Sequence, residues 1–333
     1  MRKINFFIAI LLIFPFLGYV PSTTIQNNFD IPLDLQSTVS KDNLRNIIGN
    51  LSSFETRETG TQGCLDAATY IYNWIDGNTN ASVHFENWIW SGNPVRNVLG
   101  SISGNQQYII ISAHYDSISD SSIAPGANDD ASGIAVGLEC LRILSDYAVT
   151  HSNFSFTILF LALAGEEQAL AGSRNWVQTN LDKNIYSVLN LDTIGYGLGQ
   201  SLIYNSESEW FATNIIEAVQ KISLSNYLIK KNAIYPDNSV GDHQSFWNHH
   251  ISAIWMYEDG PFYPYFHTEN DVIEHVNFEL LEDAVKIVNA GIYFSSTKNL
   301  TLDYNLNVIF LIILISSIIG ISAVIIKKTY FKK

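Results

Sequence analysis

Apolar runs rich in Ile, Val, Leu, Phe and Tyr alternate with helical patterns along the middle of this 333-residue chain, and that alternation leaves few architectures open. The runs QYIIISAHYDS, FSFTILFLALAG, YSVLNLDTIGYG, QSLIYNS and HISAIWMYEDG lack the regular in–out alternation of a half-exposed strand. Strands of that kind are buried on both faces. Between them, Ala131–Tyr147, Gln168–Asn180, Glu209–Ser223 and Phe278–Ser295 read as helices. The alternation predicts an α/β fold, a three-layer sandwich with a central, mostly parallel mixed sheet flanked by helices. No linker, repeat or low-complexity tract interrupts Asn28 to Asp303, so one domain is expected there.

Ligands of open α/β sheets bind outside the carboxyl ends of the strands, which makes the residues ending these runs the informative ones. YIIISA ends in His114-Tyr115-Asp116-Ser117, and a loop then carries Gly126-Ala127-Asn128-Asp129-Asp130-Ala131-Ser132-Gly133 into a helix. FTILFLALA ends in Gly165-Glu166-Glu167, and SVLNL ends in Asp192-Thr193. After AIWMYE comes Tyr265-Phe266-His267-Thr268-Glu269-Asn270-Asp271. Taken singly these are bland: an adjacent Glu pair suits a solvated turn, and Asp129 or Asp130 suits a helix N-cap. Five segments that bring His, Asp, Glu, Asp and His to one sheet edge exceed what capping needs. Imidazole nitrogen mixed with carboxylate oxygen suits zinc first, with cobalt or manganese as substitutes.

The ordered motifs HxD, GxNDxxSG, GEE followed by GS, NLDxxG and HTxxD resemble the secreted di-zinc aminopeptidases of clan MH. That group includes bacterial leucyl aminopeptidases, carboxypeptidase Q and glutamate carboxypeptidase II. The resemblance covers roughly Leu51 to Asn289. It implies the zinc exopeptidase fold and two Zn²⁺ ions, with Asp129 bridging. His114 and Asp192 would complete one site, and Glu167 and His267 the other. It leaves Glu166 as the general base and Asp116 as the residue that orients the His114 ring. The expected substrates are peptides with a free N-terminus. Gly241-Asp242-His243-Gln244-Ser245-Phe246 resembles the family's SDHxxF segment near the substrate pocket, but reads equally well as a polar turn entering a helix. Asp271 matches the last motif aspartate and equally suits a cap. Phe266 departs from the family, where Tyr often precedes the last metal His, so Tyr265, another donor or the metals alone would polarise the carbonyl. Tyr257, Phe262, Tyr263 and Tyr265 are candidates for an apolar pocket lining. Competing activities on this fold are glutaminyl cyclization, carboxypeptidase or dipeptidase action, and a non-catalytic receptor role.

Both ends read as membrane-associated. Residues 1–23 are a basic pair and a short apolar core, the pattern of a signal peptide or signal anchor. Residues 304–326 contain the uncharged stretch Val308–Ile326, long enough for a transmembrane helix, and 327–333 form a basic tail. The positive-inside rule puts that tail in the cytoplasm and residues 24–303, as a peptidase domain, outside or in a lumen. The two ends hold 6 of the 18 basic residues and none of the 32 acidic ones, leaving the domain at 12 − 32 = −20. That field disfavours nucleic acid as a partner. Cys64 and Cys140 could form a disulfide in such a compartment, although each sits in a helix-like apolar pattern that suits a buried thiol.

Overall fold

The computed structural model describes residues 30–151, 154–222, 224, 228–233 and 241–297. The chain divides into Met1–Asp30 and Ile31–Lys333, and every element below lies in the second unit. Helices α1 (Asp34–Ser37), α2 (Lys41–Ser52) and α3 (Gln62–Asn78) lead into the hairpin β1 (Ser82–Trp90) and β2 (Asn93–Ile102). Then follow β3 (Gln107–His114), α4 (Ala131–Thr150), β4 (Thr157–Leu163), α5 (Ala171–Thr179) and β5 (Asn184–Leu191). The chain continues through β6 (Gly199–Tyr204), α6 (Glu209–Val219), β7 (Leu228–Ala233), α7 (His243–Trp247) and β8 (Ala253–Asp259). Helix α8, residues 278–297, closes it.

The described strands form one sheet in the order β1-β2-β4-β3-β5-β8-β6-β7. Its centre, β4-β3-β5-β8, is parallel throughout, while β1–β2, β2–β4 and β6–β8 pair antiparallel. The expected mixed, mostly parallel sheet is therefore present, with four parallel strands ending on one edge.

Burial on both faces explains the unbroken apolar runs. In β3, Ile109 and Ile111 join the core beneath α2, α3, α4 and α8, whereas Ile110 joins the core beneath α5 and α7. Helix α4 lies so close to the sheet that a Cβ on Gly137 would sit 2.1 Å from the Phe160 ring. Its buried Glu139 accepts hydrogen bonds from the Ser40 amide (2.8 Å) and Asn43 Nδ2 (2.9 Å) and pairs with Arg142 (2.6 Å), docking the start of α2.

Cys64 and Cys140 are free, buried thiols in α3 and α4, so the disulfide alternative does not occur. Burial pushes the Cys64 thiol up to about 12. Among the described residues no helix is long and apolar enough to cross a membrane. The signal segment 1–23, the span 304–326 and the tail 327–333 lie outside the described residues.

Candidate metal centre

Each of the parallel strands β3, β4 and β5 hands over a ligand type at its carboxyl end. His114 is the last residue of β3, Asp192 follows β5, and Gly165-Glu166-Glu167 turns away from β4. Gly165 takes φ +81°, a left-handed conformation that glycine adopts without a Cβ clash. The loop from β3 to α4 brings Asp129, and the segment after β8 brings His267.

These five side chains meet. Asp129 stands between the two histidines with one oxygen toward each: Oδ1 is 3.2 Å from His114 Nε2, and Oδ2 is 3.2 Å from His267 Nε2. His114 Nε2 is also 3.7 Å from Asp192 Oδ1, and His267 Nε2 is 3.1 Å from Glu167 Oε2. Bonds of about 2.0–2.2 Å at tetrahedral angles place neighbouring zinc donors roughly 3.3–3.6 Å apart. The observed spacings of 3.1–3.7 Å bracket that value. Asp129 Oδ2 and Glu167 Oε1 are buried oxygens that accept no hydrogen bond, which a cation between them would remedy. Donor type, spacing and the two bare oxygens all fit a pair of zinc ions.

The neighbouring carboxylates have different work. Asp130 caps α4: Oδ1 accepts from the Gly133 (2.9 Å) and Thr193 (3.1 Å) amides, and Oδ2 from the His114 amide (3.3 Å). Capping therefore falls to Asp130 and leaves Asp129 facing the centre. His114 Nδ1 is hydrogen-bonded to the backbone O of Asp116 at 3.2 Å, with the Asp116 carboxylate beside it, Oδ1 at 3.5 Å. The two carboxylate oxygens of Asp116 accept from the Glu166 and Glu167 amides, each at 3.3 Å, and from Thr59 Oγ1 at 3.1 Å. Asp116, through its backbone O and its carboxylate, thus ties the histidine of β3 to the glutamate turn of β4.

Asp271 is not a helix cap. Its carboxylate accepts from the Asn128 amide (2.8 Å), the Asp129 amide (3.0 Å) and the Tyr263 hydroxyl (2.7 Å), gripping the backbone that presents Asp129. The segment Gly241–Phe246 is more than a polar turn. Asp242 is fully buried, and a Cβ on Gly241 would lie 3.1 Å from Asp192 Oδ2. Lining assignments need one correction: Tyr257 and Phe262 face the cleft, but Tyr263 is buried on Asp271 and Tyr265 stacks on His275 at 3.9 Å. Tyr265 therefore does not stand in for the missing Tyr. Phe266 lines the cleft and stacks on the His267 ring at 3.8 Å.

Arg57 carried no motif signal in the sequence, yet it underpins the centre. Wholly buried, it donates from Nε to Tyr115 O (2.6 Å) and from Nη1 to Leu51 O (3.0 Å) and Pro125 O. Its Nη2 donates to Gly126 O (2.9 Å). Spending a guanidinium on backbone carbonyls fixes both ends of the β3–α4 loop and leaves its positive charge beneath a cluster of carboxylates.

Protonation follows from that crowding. Burial opposes a charged His114, but Asp116, Asp129 and Asp192 outweigh it and hold the ring well above the usual imidazole range. Burial likewise opposes His267, which Asp129 and Glu167 nevertheless raise to about 10. Burial, reinforced by Asp129, lifts Glu167 to about 7, and burial raises Glu166 well above the carboxylate range. Asp129 moves the other way: the two histidines overcome its burial and pull it below the usual range. The raised His114, His267 and Glu167 are ligands that hold protons where cations would otherwise sit.

The cleft above the centre has a volume of about 420 Å³ and is walled by Ile203, Trp255, Tyr257, Phe262 and Phe266. Fold and donors together define an α/β protein built around a paired-ion site at the carboxyl edge of its sheet. Residues 97–291, more than half of the chain, match peptidase family M28, and the chain belongs to that family. A probable zinc metalloprotease of Pyrenophora tritici-repentis is 33% identical over 192 residues, 49% of this chain and 43% of that protein. The chain thus spans less than half the length of that relative. Leucine aminopeptidase 1 of Paracoccidioides brasiliensis is 28% identical over 286 residues, covering 78% of this chain and 72% of that protein. The LapA aminopeptidase of Legionella pneumophila has the same fold, with a TM-score of 0.69 at 21% identity over 79% of this chain and 74% of that one.

Proposed function

We propose that the chain is a zinc-dependent aminopeptidase that removes N-terminal residues from peptides, with residues 24–303 held outside the cytoplasm by the 304–326 segment. The observation that carries the chemistry is Asp129, which offers one oxygen to the His114 side and the other to the His267 side. His114, Asp129 and Asp192 would hold one ion, and His267, Asp129 and Glu167 the second. When bound, the ions would supply Lewis acidity to the scissile carbonyl and lower the pKa of an attacking water.

Glu166 is the acidic side chain of the GEE turn left over from this assignment. It lines the same cleft, so it takes the proton from the attacking water and passes it to the leaving amine. Asp116 sets the direction of both partners at once, through the His114 ring and the amides of Glu166 and Glu167. Asp271 and Arg57 keep the Asp129 loop in place. The apolar cleft walls exclude water from the side chain of the first substrate residue. The curated relatives named as leucine aminopeptidases support this direction of cleavage.

The test is metal analysis of the purified chain together with a substrate panel. Two zincs per chain, and chelator-sensitive hydrolysis of aminoacyl-p-nitroanilides but not of N-acetylated ones, are expected. One zinc with pyroglutamate formation from glutaminyl peptides would assign the centre to cyclization. Cleavage of N-blocked dipeptides would assign it to carboxypeptidase action.

A further inference from the structure

Six acidic side chains line the cleft: Asp129, Glu166, Glu167, Asp192, Glu258 and Asp259. In the proposed function Asp129, Glu167 and Asp192 hold ions and Glu166 moves a proton. Asp259 is engaged within the sheet, where it pairs with Gly199 and accepts from Ser201 Oγ at 3.3 Å. Glu258 has no such task. Its amide donates to Thr193 O at 3.0 Å, and its Oε2 accepts from Asn128 Nδ2 at 2.9 Å and from the Tyr196 amide at 3.1 Å. Its Oε1 is buried and accepts no hydrogen bond, in a residue only 5% exposed. A buried carboxylate oxygen without a donor is costly, and in a cleft wall it points to a ligand that supplies one.

The place of Glu258 narrows the chemistry of that ligand. Thr193 follows Asp192 and Asn128 precedes Asp129, so the side chain is held by the neighbours of two carboxylates assigned to one ion. Met256 lies opposite Leu191, the last residue of β5, which puts Glu258 two residues beyond that strand, level with the loops that carry the centre. Among the described residues it joins none of the groups whose donor atoms lie within 4.8 Å of one another, so it stands beside the ions and holds neither. Both donors on Oε2 are neutral amides. Burial raises the carboxyl to about 8, the shift of an acid with no counter-charge. In a peptide whose scissile carbonyl lies at the ions, only Cα separates that carbonyl from the terminal nitrogen, so the ammonium lies beside the ions too. There it donates to Oε1 and supplies the missing charge. A substrate without the amine leaves the oxygen bare, which is how a site built for a polar group rejects an analogue that lacks it.

We propose that Glu258 anchors the α-ammonium group of the substrate and is the side chain that restricts cleavage to free N-termini. This rests on the aminopeptidase reading of the centre, and the experiment separates the two. Leucine hydroxamate and its des-amino analogue, isocaproic hydroxamate, carry the same zinc-chelating group and differ only in the amine. They are compared as inhibitors of the zinc-loaded full chain, with leucyl-p-nitroanilide as substrate. Wild type should bind leucine hydroxamate about ten- to a hundredfold more tightly, the range of a charge-assisted hydrogen bond. Glu258→Gln keeps a carbonyl for Asn128 and Tyr196 but presents a neutral amide to the cleft. Its preference for the amine should fall by about tenfold, with zinc content and affinity for the des-amino compound nearly unchanged. A purely structural role would weaken both inhibitors in parallel and leave their ratio alone. Glu258→Asp keeps the charge but withdraws it, and should show an intermediate ratio. Equal affinity of the wild type for both inhibitors, or a wild-type ratio in either variant, overturns the proposal while leaving the aminopeptidase reading intact. Failure of the wild type to cleave leucyl-p-nitroanilide overturns that reading itself.

Discussion

Two adjacent glutamates have two different surroundings here. Glu167 is drawn to His267 at 3.1 Å, whereas Glu166 has its amide on Asp116 and its side chain in the cleft. Replacing Glu166 by Gln keeps the size of the side chain and removes its capacity to take a proton. If Glu166 is the general base, kcat should drop by about 10²–10⁴-fold while zinc content stays at the wild-type level. Turnover within a few-fold of wild type would remove Glu166 from that role. Of the candidate site, the ligand types were legible because metal chemistry restricts them to His, Asp and Glu at strand ends. The residues that hold the ligands were not. Arg57 and Thr59 lie about 60 positions from Asp116 in sequence, and only the folded chain brings them beside Tyr115 O and the Asp116 carboxylate. Asp130 and Asp129 have the same chemistry and adjacent numbers. The three amides that claim Asp130 separate their roles.

At the scale of elements, the position of the GEE turn depends on how α5 leaves β4. Helix α5 opens with Leu170 at φ 62° and without a side-chain cap, and the Ala171 amide donates to Gly165 O at 2.6 Å. The next residue, Gly172, comes so close to the strand that a Cβ there would lie 1.7 Å from Ala164 O. That obstacle is backbone and cannot swing aside. Gly172→Ala should therefore push α5 off the end of β4 and displace Glu166 and Glu167 with it. A loss of about 1–3 kcal/mol is expected for overpacking of this kind, read as a lower denaturation midpoint accompanied by reduced zinc retention. Wild-type stability and zinc binding would mean that the helix can shift without the turn. The five central strands β3, β4, β5, β6 and β8 were legible from their apolar runs. The hairpin β1–β2 was not: β1 alternates between exposed and half-buried positions, and Pro94 interrupts the start of β2. Helices α2 and α3 also escaped. Their apolar residues form single stripes, Leu44, Ile47, Ile48 and Leu51 in α2, among polar neighbours.

For the whole molecule, the centre couples folding to both protons and metal. At pH 7 the chain already carries a formal charge of −14, and the centre packs several carboxylates against two histidines. Without metal, His267 is raised to about 10 by Asp129 and Glu167 against the effect of its own burial. A raised base contributes stability that is complete below its unfolded pKa near 6.5 and is lost as pH climbs through 10. Glu167 and Asp242, each lifted by burial to about 7, hold protons that the unfolded chain has already released, so their cost grows as pH rises toward 7 and then stays constant. All three act in one direction, but above pH 7 the further change comes from His267, so the metal-free protein should go on losing stability from pH 6.5 to 10. Bound zinc reverses the sign, since it requires the deprotonated ligands and competes with fewer protons as pH rises. Stabilisation by a ligand scales with RT ln(1 + [L]/Kd), so tighter binding at high pH widens the gap between loaded and stripped protein. General charge repulsion grows with pH in both forms and largely cancels in their difference. Thermal denaturation with and without chelator at pH 6.5 and pH 9 measures that difference. A larger separation in Tm at pH 9, produced mainly by a fall in the stripped protein, is the expected result. A separation that shrinks with pH would mean that protons and metal do not compete for these five side chains.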